Sequence, residues 1–227
     1  MGLREDIQPY LHPEYRTVLI RPGEPNDNYH LFTAHYHNLI ALLGEPVPLP
    51  DLLGYRTFLQ MCEHPSFRGL FARDPNRFQD DISQDELIGI AWISFQYRFK
   101  KDFLTFAEQH DWCFNLKEPE QFDLRYWYAR HPDVVPFLKA CAGRSLSWLE
   151  RIAWCGTVLA AAFTPKHETS GPLLRFIQFS VMWKRYWITD LAILVFLFMR
   201  SPKADLATYF GANHPLAVHC PVKIRLP

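Results

Sequence analysis

Proline and glycine divide this sequence into short apolar segments whose spacing is typical of helices rather than strands. No stretch of more than a few residues alternates apolar and polar side chains, as a half-buried β-strand would. The apolar residues before Gly44 instead recur at helical spacing, and glycine often follows the last turn of a helix; they are Leu31, Ala34, Leu39 and Leu42. Short turns between consecutive segments favour antiparallel helical hairpins. The pattern therefore predicts an all-α fold whose hairpins stack as a bundle or curl around an axis.

The helix boundaries follow from caps and prolines. Asn26 or Asp27 caps the first helix, Asp51 caps the second, and Ser83 with Glu86 forms a capping box at the start of the third. The predicted helices end near residues 43, 62, 99, 109, 141, 163, 184, 200 and 210. Residues 112–130 are predicted to be a loop with at most one helical turn. The prolines before residue 26 predict an irregular arm over 1–26, within a single helical domain spanning 1–227.

The charge balance restricts the kind of partner. The 24 Lys and Arg residues balance 24 Asp and Glu residues, which gives a formal net charge of zero and an isoelectric point near 7.1. A nucleic-acid surface requires a basic excess to neutralise phosphates, so we expect no nucleic-acid partner. A neutral chain also has little electrostatic repulsion between copies. We therefore expect other protein subunits as partners, in an oligomer or a larger assembly.

Cysteine usage and hydropathy indicate the compartment. The five cysteines are odd in number and contain no CxxC pair, which is typical of reduced thiols in a cytosolic protein. Residues 1–6 are followed by no apolar run, so no secretory signal is predicted. The apolar stretch 188–199 is too short to span a bilayer and contains Asp190, so we interpret it as a buried core helix and expect no membrane partner.

Acid–base chemistry is conceivable at one place, the acidic cluster before the third helix. Asp80 and Asp81 precede Ser83, and Asp85 and Glu86 follow it within the first helical turn. Neighbouring carboxyl groups shift each other's pKa apart, so one can act as general acid and the other as base. The same residues are also favoured at a helix N-terminus by the helix dipole alone, without any function. We take Asp81, Asp85 and Glu86 as candidate catalytic residues and Asp80 as a candidate ligand residue.

Histidines supply the other candidates for ligand binding. Tyr29, His30, Thr33 and His37 recur on one side of the first helix and are expected to face either a groove or an interface with another element. The spacing of His30 and His37 is not that of a helical zinc site, so no metal is predicted. His167 lies in an irregular link, and His214 precedes a proline. A role in a turn explains each of them as well as a role in ligand binding does. No phosphate-binding glycine loop is present in the sequence, so no nucleotide or other cofactor is expected.

Three segments carry a family resemblance. The segments DNYHLFTA at 27–34, FQDDISQDE at 78–86 and HPLA at 214–217 resemble a family of tailed-phage proteins without settled function. More distantly, the chain is similar to the α/α-toroid glycosidases and polysaccharide lyases, which carry acidic loops and aromatic residues at one end of a ring of helix pairs. A full toroid uses about twelve helices and this chain has room for about eight, so the resemblance implies a partial toroid.

Two functions follow from the resemblance and the residues together. In the first, the protein is a structural or accessory component of a bacteriophage virion, made in the host cytoplasm, that docks on neighbouring subunits through aromatic helix faces. In the second, it is a glycan-active hydrolase or lyase in which Asp81 acts with Asp85 or Glu86. Aromatic side chains would then stack on sugar rings; the candidates are Trp92, Tyr97, Trp127 and Tyr128.

Overall fold

The computed structural model describes residues 2–24, 28–76, 84–98, 101–109, 132–165 and 170–222. This part of the chain is helical and contains no strand beyond two isolated bridges, Leu11 to Val18 and Glu63 to Phe71, which confirms the all-α prediction. The α-helices are α1 Leu3–Asp6, α2 Tyr29–Leu42, α3 Leu49–Met61, α4 Gln84–Tyr97, α5 Lys101–Gln109, α6 Val134–Cys141, α7 Trp148–Phe163, α8 Ser170–Met182, α9 Trp187–Met199, α10 Pro202–Phe210 and α11 Pro215–Val218.

The helix ends agree closely with the boundaries predicted from caps and prolines, with two local differences. The arm before residue 26 contains α1 and a short 3-10 helix, Gln8–Tyr10, and is therefore not irregular throughout. Asp51 was expected to cap the second helix but lies inside the first turn of α3. Its carboxylate instead accepts hydrogen bonds from Arg16 Nε and from the Tyr36 hydroxyl, both at 2.8 Å. Asn26, Asp27, Ser83 and the loop 112–130 lie outside the described residues.

Helix α4 lies at the centre of the molecule. It packs against α2, α5, α6 and α8, and its apolar residues from Leu87 to Ile93 are buried. This central position follows from the sequence, because α4 is apolar around nearly its whole circumference after the first turn. Trp92 and Trp154 are the largest of the fully buried side chains among the described residues. These two indole rings therefore help to fill the core.

Helices α7, α8 and α9 form a second layer beside this centre. The α7 helix begins with a capping box in which the Glu150 amide donates to Ser147 Oγ and the Glu150 carboxylate accepts from the Ser147 amide. The α9 helix packs against α7 and α8 with one side, which buries Thr189, Ile193 and Phe196. Its other side is exposed, so the interpretation of 188–199 as a buried core helix was wrong. The rest of the described chain therefore covers only one side of this apolar helix.

Candidate functional site

Glu86 connects the start of α4 to the start of α2. Its carboxylate accepts hydrogen bonds from the backbone amides of His30 and Leu31, at 3.1 and 3.4 Å. These amides belong to the first turn of α2, where backbone N–H groups have no partner within the helix and the helix dipole favours a negative charge. Glu86 is fully buried, and this burial raises its pKa to about 8. The contact gives Glu86 a structural role, and its catalytic assignment stays a prediction.

The His30 imidazole is held by two partners inside the core. Its Nε2 lies 3.0 Å from the Ala72 carbonyl oxygen, and its Nδ1 lies 2.7 Å from the Tyr55 hydroxyl. A carbonyl oxygen only accepts, so Nε2 carries the proton and Nδ1 accepts from the hydroxyl. Burial lowers the pKa of His30 to about 4, which keeps the ring neutral at pH 7. With both nitrogens occupied, His30 has no free nitrogen to present to a ligand.

The row of polar residues on α2 faces the interior rather than a groove. His30, Thr33 and His37 are fully buried, so of the two alternatives, a groove or an interface with another element, the structure supports the interface. Within the described part of the structure, His35 and His37 have no hydrogen-bond partner on either ring nitrogen. His37 packs edge-on against Tyr97 with ring centres 5.5 Å apart, and burial lowers its pKa to about 3. The row therefore packs against several elements: Thr33 meets the arm at Val18, His30 meets Tyr55 on α3, and His37 meets Tyr97 on α4.

Tyr29 is a candidate residue that does line a cleft. The cleft has a volume of about 380 Å³ and is bounded by aromatic rings and one carboxylate. Its lining includes Tyr15, Phe58 and Asp74. The Tyr29 and Phe58 rings meet edge-on with centres 5.4 Å apart. The predicted ligand role of Tyr29 is compatible with this position.

Asp85 lies beside a buried polar network. Burial raises the pKa of Asp85, and the charges of Arg175, Asp133 and Arg73 act on it from nearby. Arg175 and Asp133 form a buried ion pair, and Gln178 Nε2 donates to the same Asp133 carboxylate at 3.3 Å. Asp80 and Asp81 lie outside the described residues, so the proposed pairing of Asp81 with Asp85 stays a prediction.

The remaining candidates separate into buried residues and residues outside the described ranges. The indole N–H of Trp92 donates to Ser180 Oγ at 2.7 Å, and the ring is buried, so Trp92 offers no platform to a sugar. His214 is also buried, and it caps α11 by accepting from the Leu216 amide at 3.2 Å. Trp127, Tyr128 and His167 lie outside the described part of the chain.

Most of the large apolar side chains that are exposed in the described residues lie on α7 and α9. We call this set the apolar face. Its side chains include Phe198, which is 87% exposed, Leu149 at 78%, Trp187 at 70% and Phe163 at 66%. The full set is Trp148, Leu149, Ile152, Leu159, Phe163, Trp187, Leu191, Leu194, Phe198 and Met199. On α9 the exposed residues recur at intervals of four, three and four, which places them along one side of the helix.

The two helices of the apolar face run side by side in the same direction. At their starts, the Leu146 amide donates to the Tyr186 hydroxyl at 3.0 Å. At their ends, Arg200 Nη1 donates to the Thr164 carbonyl oxygen at 2.6 Å. The N-termini of α7 and α9 therefore lie at one end of the face, and their C-termini lie at the other end, where α10 begins.

The ends of the apolar face differ in shape as well. Beside the last turns of α9 lies an open cleft of about 760 Å³. Apolar side chains line it together with the start of α10; they are Leu194, Leu197, Phe198, Met199, Pro202 and Val222. Arg200 and Asp205 form an ion pair at 2.6 Å in the wall of the cleft. At the opposite end of the face Trp187 is exposed, and it follows Lys184 and Arg185 closely in the sequence.

Sequence reasoning missed the apolar face, although α9 carries a signal for it. The helix is apolar on the side that packs against α7 and α8 and also on the opposite side, at Leu191, Leu194 and Phe198. A helix at the surface of a domain normally carries polar residues on its outer side. An apolar outer side indicates a surface that another protein covers.

Comparisons with protein-family models, with curated proteins and with solved structures found no match to this chain. Among the described residues, no helix combines the length and the apolar character needed to cross a bilayer. The same residues contain no group of three or more His, Cys, Asp or Glu side chains placed to hold a metal ion.

Proposed function

We propose that this protein is a structural or accessory component of a larger protein assembly and that it docks on a neighbouring subunit through the apolar face. The resemblance to tailed-phage proteins suggests that this assembly is a virion, in which the chain takes its place after synthesis in the host cytoplasm. The observation that carries the proposal is the extent of exposed apolar surface on α7 and α9.

The size of the apolar face supports docking. Large apolar side chains present about 150–250 Å² each when fully exposed, so the exposed fractions of these residues correspond to an area on the order of 1,000 Å². The largest apolar patch on a typical monomer covers roughly 300–600 Å². A stable protein interface buries about 800 Å² on each partner. The face is thus larger than a free surface normally carries and large enough for a specific interface.

Charge substitution on the apolar face tests the proposal. We compare the wild-type chain with a double variant, Trp187→Glu and Phe198→Glu, in the cells that naturally make the protein. Wild-type protein in a gentle extract is expected to migrate on gel filtration in a complex well above the 26.7 kDa mass of one chain. The double variant is expected to leave this complex, because burying two carboxylates in an apolar interface is strongly unfavourable.

The matched control is Leu53→Glu, which places the same charge on an exposed leucine of α3, outside the apolar face. This control is expected to migrate with the wild-type complex. Migration of wild type and double variant at the same mass would rule out docking through the apolar face.

The second candidate function is a glycan-active hydrolase or lyase. The observation that favours it is the partly buried carboxyl group of Asp85, whose pKa is raised by burial as a general acid requires. Asp85→Asn is expected to abolish cleavage of a polysaccharide substrate while the protein stays folded by circular dichroism. Wild-type protein that cleaves no polysaccharide in a broad panel, or a variant that cleaves as fast as wild type, would exclude this role for Asp85.

A further inference from the structure

We propose that the apolar face is covered by a second copy of this chain, in an antiparallel dimer with a twofold axis across the middle of α9. The inference rests on the proposed docking function and names the docking partner. Its basis is that the two ends of the apolar face complement each other in shape.

Shape complementarity pairs Trp187 with the cleft at the other end of α9. Trp187 lies at the start of the helix, and the cleft lies beside its last turns, around Phe198, which is about 16 Å from Trp187 along the helix axis at 1.5 Å per residue. A twofold axis perpendicular to α9, near residue 193, exchanges these two ends. Each Trp187 then lies opposite the cleft of the other copy, so the contact forms twice, as an isologous interface requires.

The cleft is suited to an indole ring. Its volume of about 760 Å³ is in the range of roughly 300–1,000 Å³ that pockets for small ligands have. Leu197 and Pro202 supply apolar lining, and the Thr208 hydroxyl oxygen is an acceptor for an indole N–H. Tryptophan is enriched among the residues that contribute most to binding at protein interfaces, and such residues typically lie in pockets from which water is excluded.

Charged side chains at both ends of the apolar face have partners within the chain. At the first end Arg144 pairs with Glu108, and the Asp190 carboxylate accepts from the Lys184 amide. At the second end Arg200 pairs with Asp205, and the start of α10 lies in the wall of the cleft. The antiparallel orientation therefore rests on the fit of Trp187 to the cleft.

The stoichiometry of the purified chain is the first test. Light scattering coupled to gel filtration of the purified full chain at about 50 μM is expected to give twice the monomer mass of 26.7 kDa. Trp187→Glu is expected to weaken the dimer at least tenfold and to elute as monomer. Leu53→Glu again serves as the matched control and is expected to remain dimeric.

Cysteine cross-linking tests the orientation. Cys62, Cys141, Cys155 and Cys220 are buried, and the fifth cysteine, Cys113, is replaced by serine so that it does not compete in the oxidation. In this Cys113→Ser background, Leu194→Cys places one thiol on each side of the proposed axis, within the distance that a disulfide spans. Mild oxidation is expected to give a covalent dimer. Phe198→Cys in the same background is the control, because its two thiols lie roughly 15 Å apart along the helices in an antiparallel pair and stay unlinked.

The outcomes separate this inference from the proposed function. A monomeric wild-type chain at 50 μM overturns the second copy as partner. The proposed function still stands in that case if the Trp187→Glu and Phe198→Glu double variant leaves the cellular complex. A dimer that is unaffected by Trp187→Glu, or that cross-links through Phe198→Cys and not through Leu194→Cys, overturns the antiparallel arrangement.

Discussion

His35 and His37 on α2 are buried residues whose polarity is uncompensated. Both rings lie in the core, and neither ring nitrogen has a hydrogen-bond partner within the residues that the structure describes. A buried polar group without a partner costs roughly 1–3 kcal/mol of stability. Burial lowers the pKa of each ring to about 3, because a charged imidazole would lose its hydration without gaining a partner. These two residues make the stability of the fold sensitive to acid.

We predict that His37→Leu makes the protein more resistant to acid. The pKa of His37 is about 3 in the folded protein and near 6.5 in an unfolded chain, so only the unfolded state gains this proton as the pH falls below 6.5. Wild type therefore loses stability relative to the variant, by about 2 kcal/mol between pH 6.5 and 5. Urea unfolding measured across this pH range checks the prediction.

The difference in stability between wild type and His37→Leu at pH 7 and above is the control, because the imidazole is neutral there in both the folded and the unfolded protein. Glu86 acts in the opposite direction: its pKa of about 8 makes the folded protein lose stability as the pH rises from 4.5 to 8. This contribution is common to wild type and variant and cancels in their difference. A stability difference that stays constant from pH 7 to pH 5 would show that His37 takes up a proton in the folded state.

The role of Glu86 marks the limit of sequence reasoning at this scale. The spacing of Ser83 and Glu86 predicted a cap for the helix that Glu86 itself belongs to. The structure shows its carboxylate at the amides of α2, across a separation of 56 residues to His30, while Ser83 lies outside the described residues. Local spacing identifies a helix start, but a contact that depends on how two distant helices pack leaves no local pattern.

At the scale of elements, the close approach of α2 and α4 depends on Gly89. A Cβ atom added at this position would lie 2.5 Å from the carbonyl carbon of His30 and 2.7 Å from the Leu31 amide nitrogen. Both of these atoms belong to the backbone of α2 and have no rotamer to change. The absent side chain lets the two helix backbones meet, which also brings Glu86 within reach of the α2 amides.

We predict that Gly89→Ala destabilises the protein by about 1–3 kcal/mol, the usual cost of overpacking a core. Gly156→Ala on α7 is the matched control, since its Cβ would meet no atom within 4 Å. Alanine is the better helix former, so this control is expected to gain up to about 1 kcal/mol. Urea unfolding in a Trp187→Glu background excludes any contribution from association. Equal effects of the two substitutions would contradict the close packing of α2 on α4.

Helix positions were predictable from the sequence, and helix exposure was not. Pro172, Pro202 and Gly44 lie at or next to helix ends because the chemistry of proline and glycine acts locally. The exposure of α9 depends on which of its two apolar sides the rest of the chain covers, and that is a property of the tertiary arrangement. The same limit applies to Trp92, whose aromatic ring suggested a sugar platform but fills the core.

At the scale of the whole molecule, the apolar face and the neutral net charge act in the same direction. A chain with a formal net charge of zero has little repulsion to oppose the association of copies. The apolar face supplies the attraction, and its two ends supply the orientation. A dimer formed in this way links folding to protein concentration, because unfolding releases two chains.

We therefore predict that the thermal midpoint of the wild-type protein rises with its concentration. A hundredfold increase stabilises a dimer by about 2.7 kcal/mol, which for two chains of 227 residues corresponds to roughly 3 °C. Trp187→Glu is expected to unfold at a midpoint that changes by less than about 1 °C over the same range. Calorimetry at about 2 and 200 μM checks both expectations, with Leu53→Glu following the wild type. A wild-type midpoint that is the same at both concentrations would show that the apolar face of the purified chain stays uncovered, and its partner would then be a different protein of the assembly.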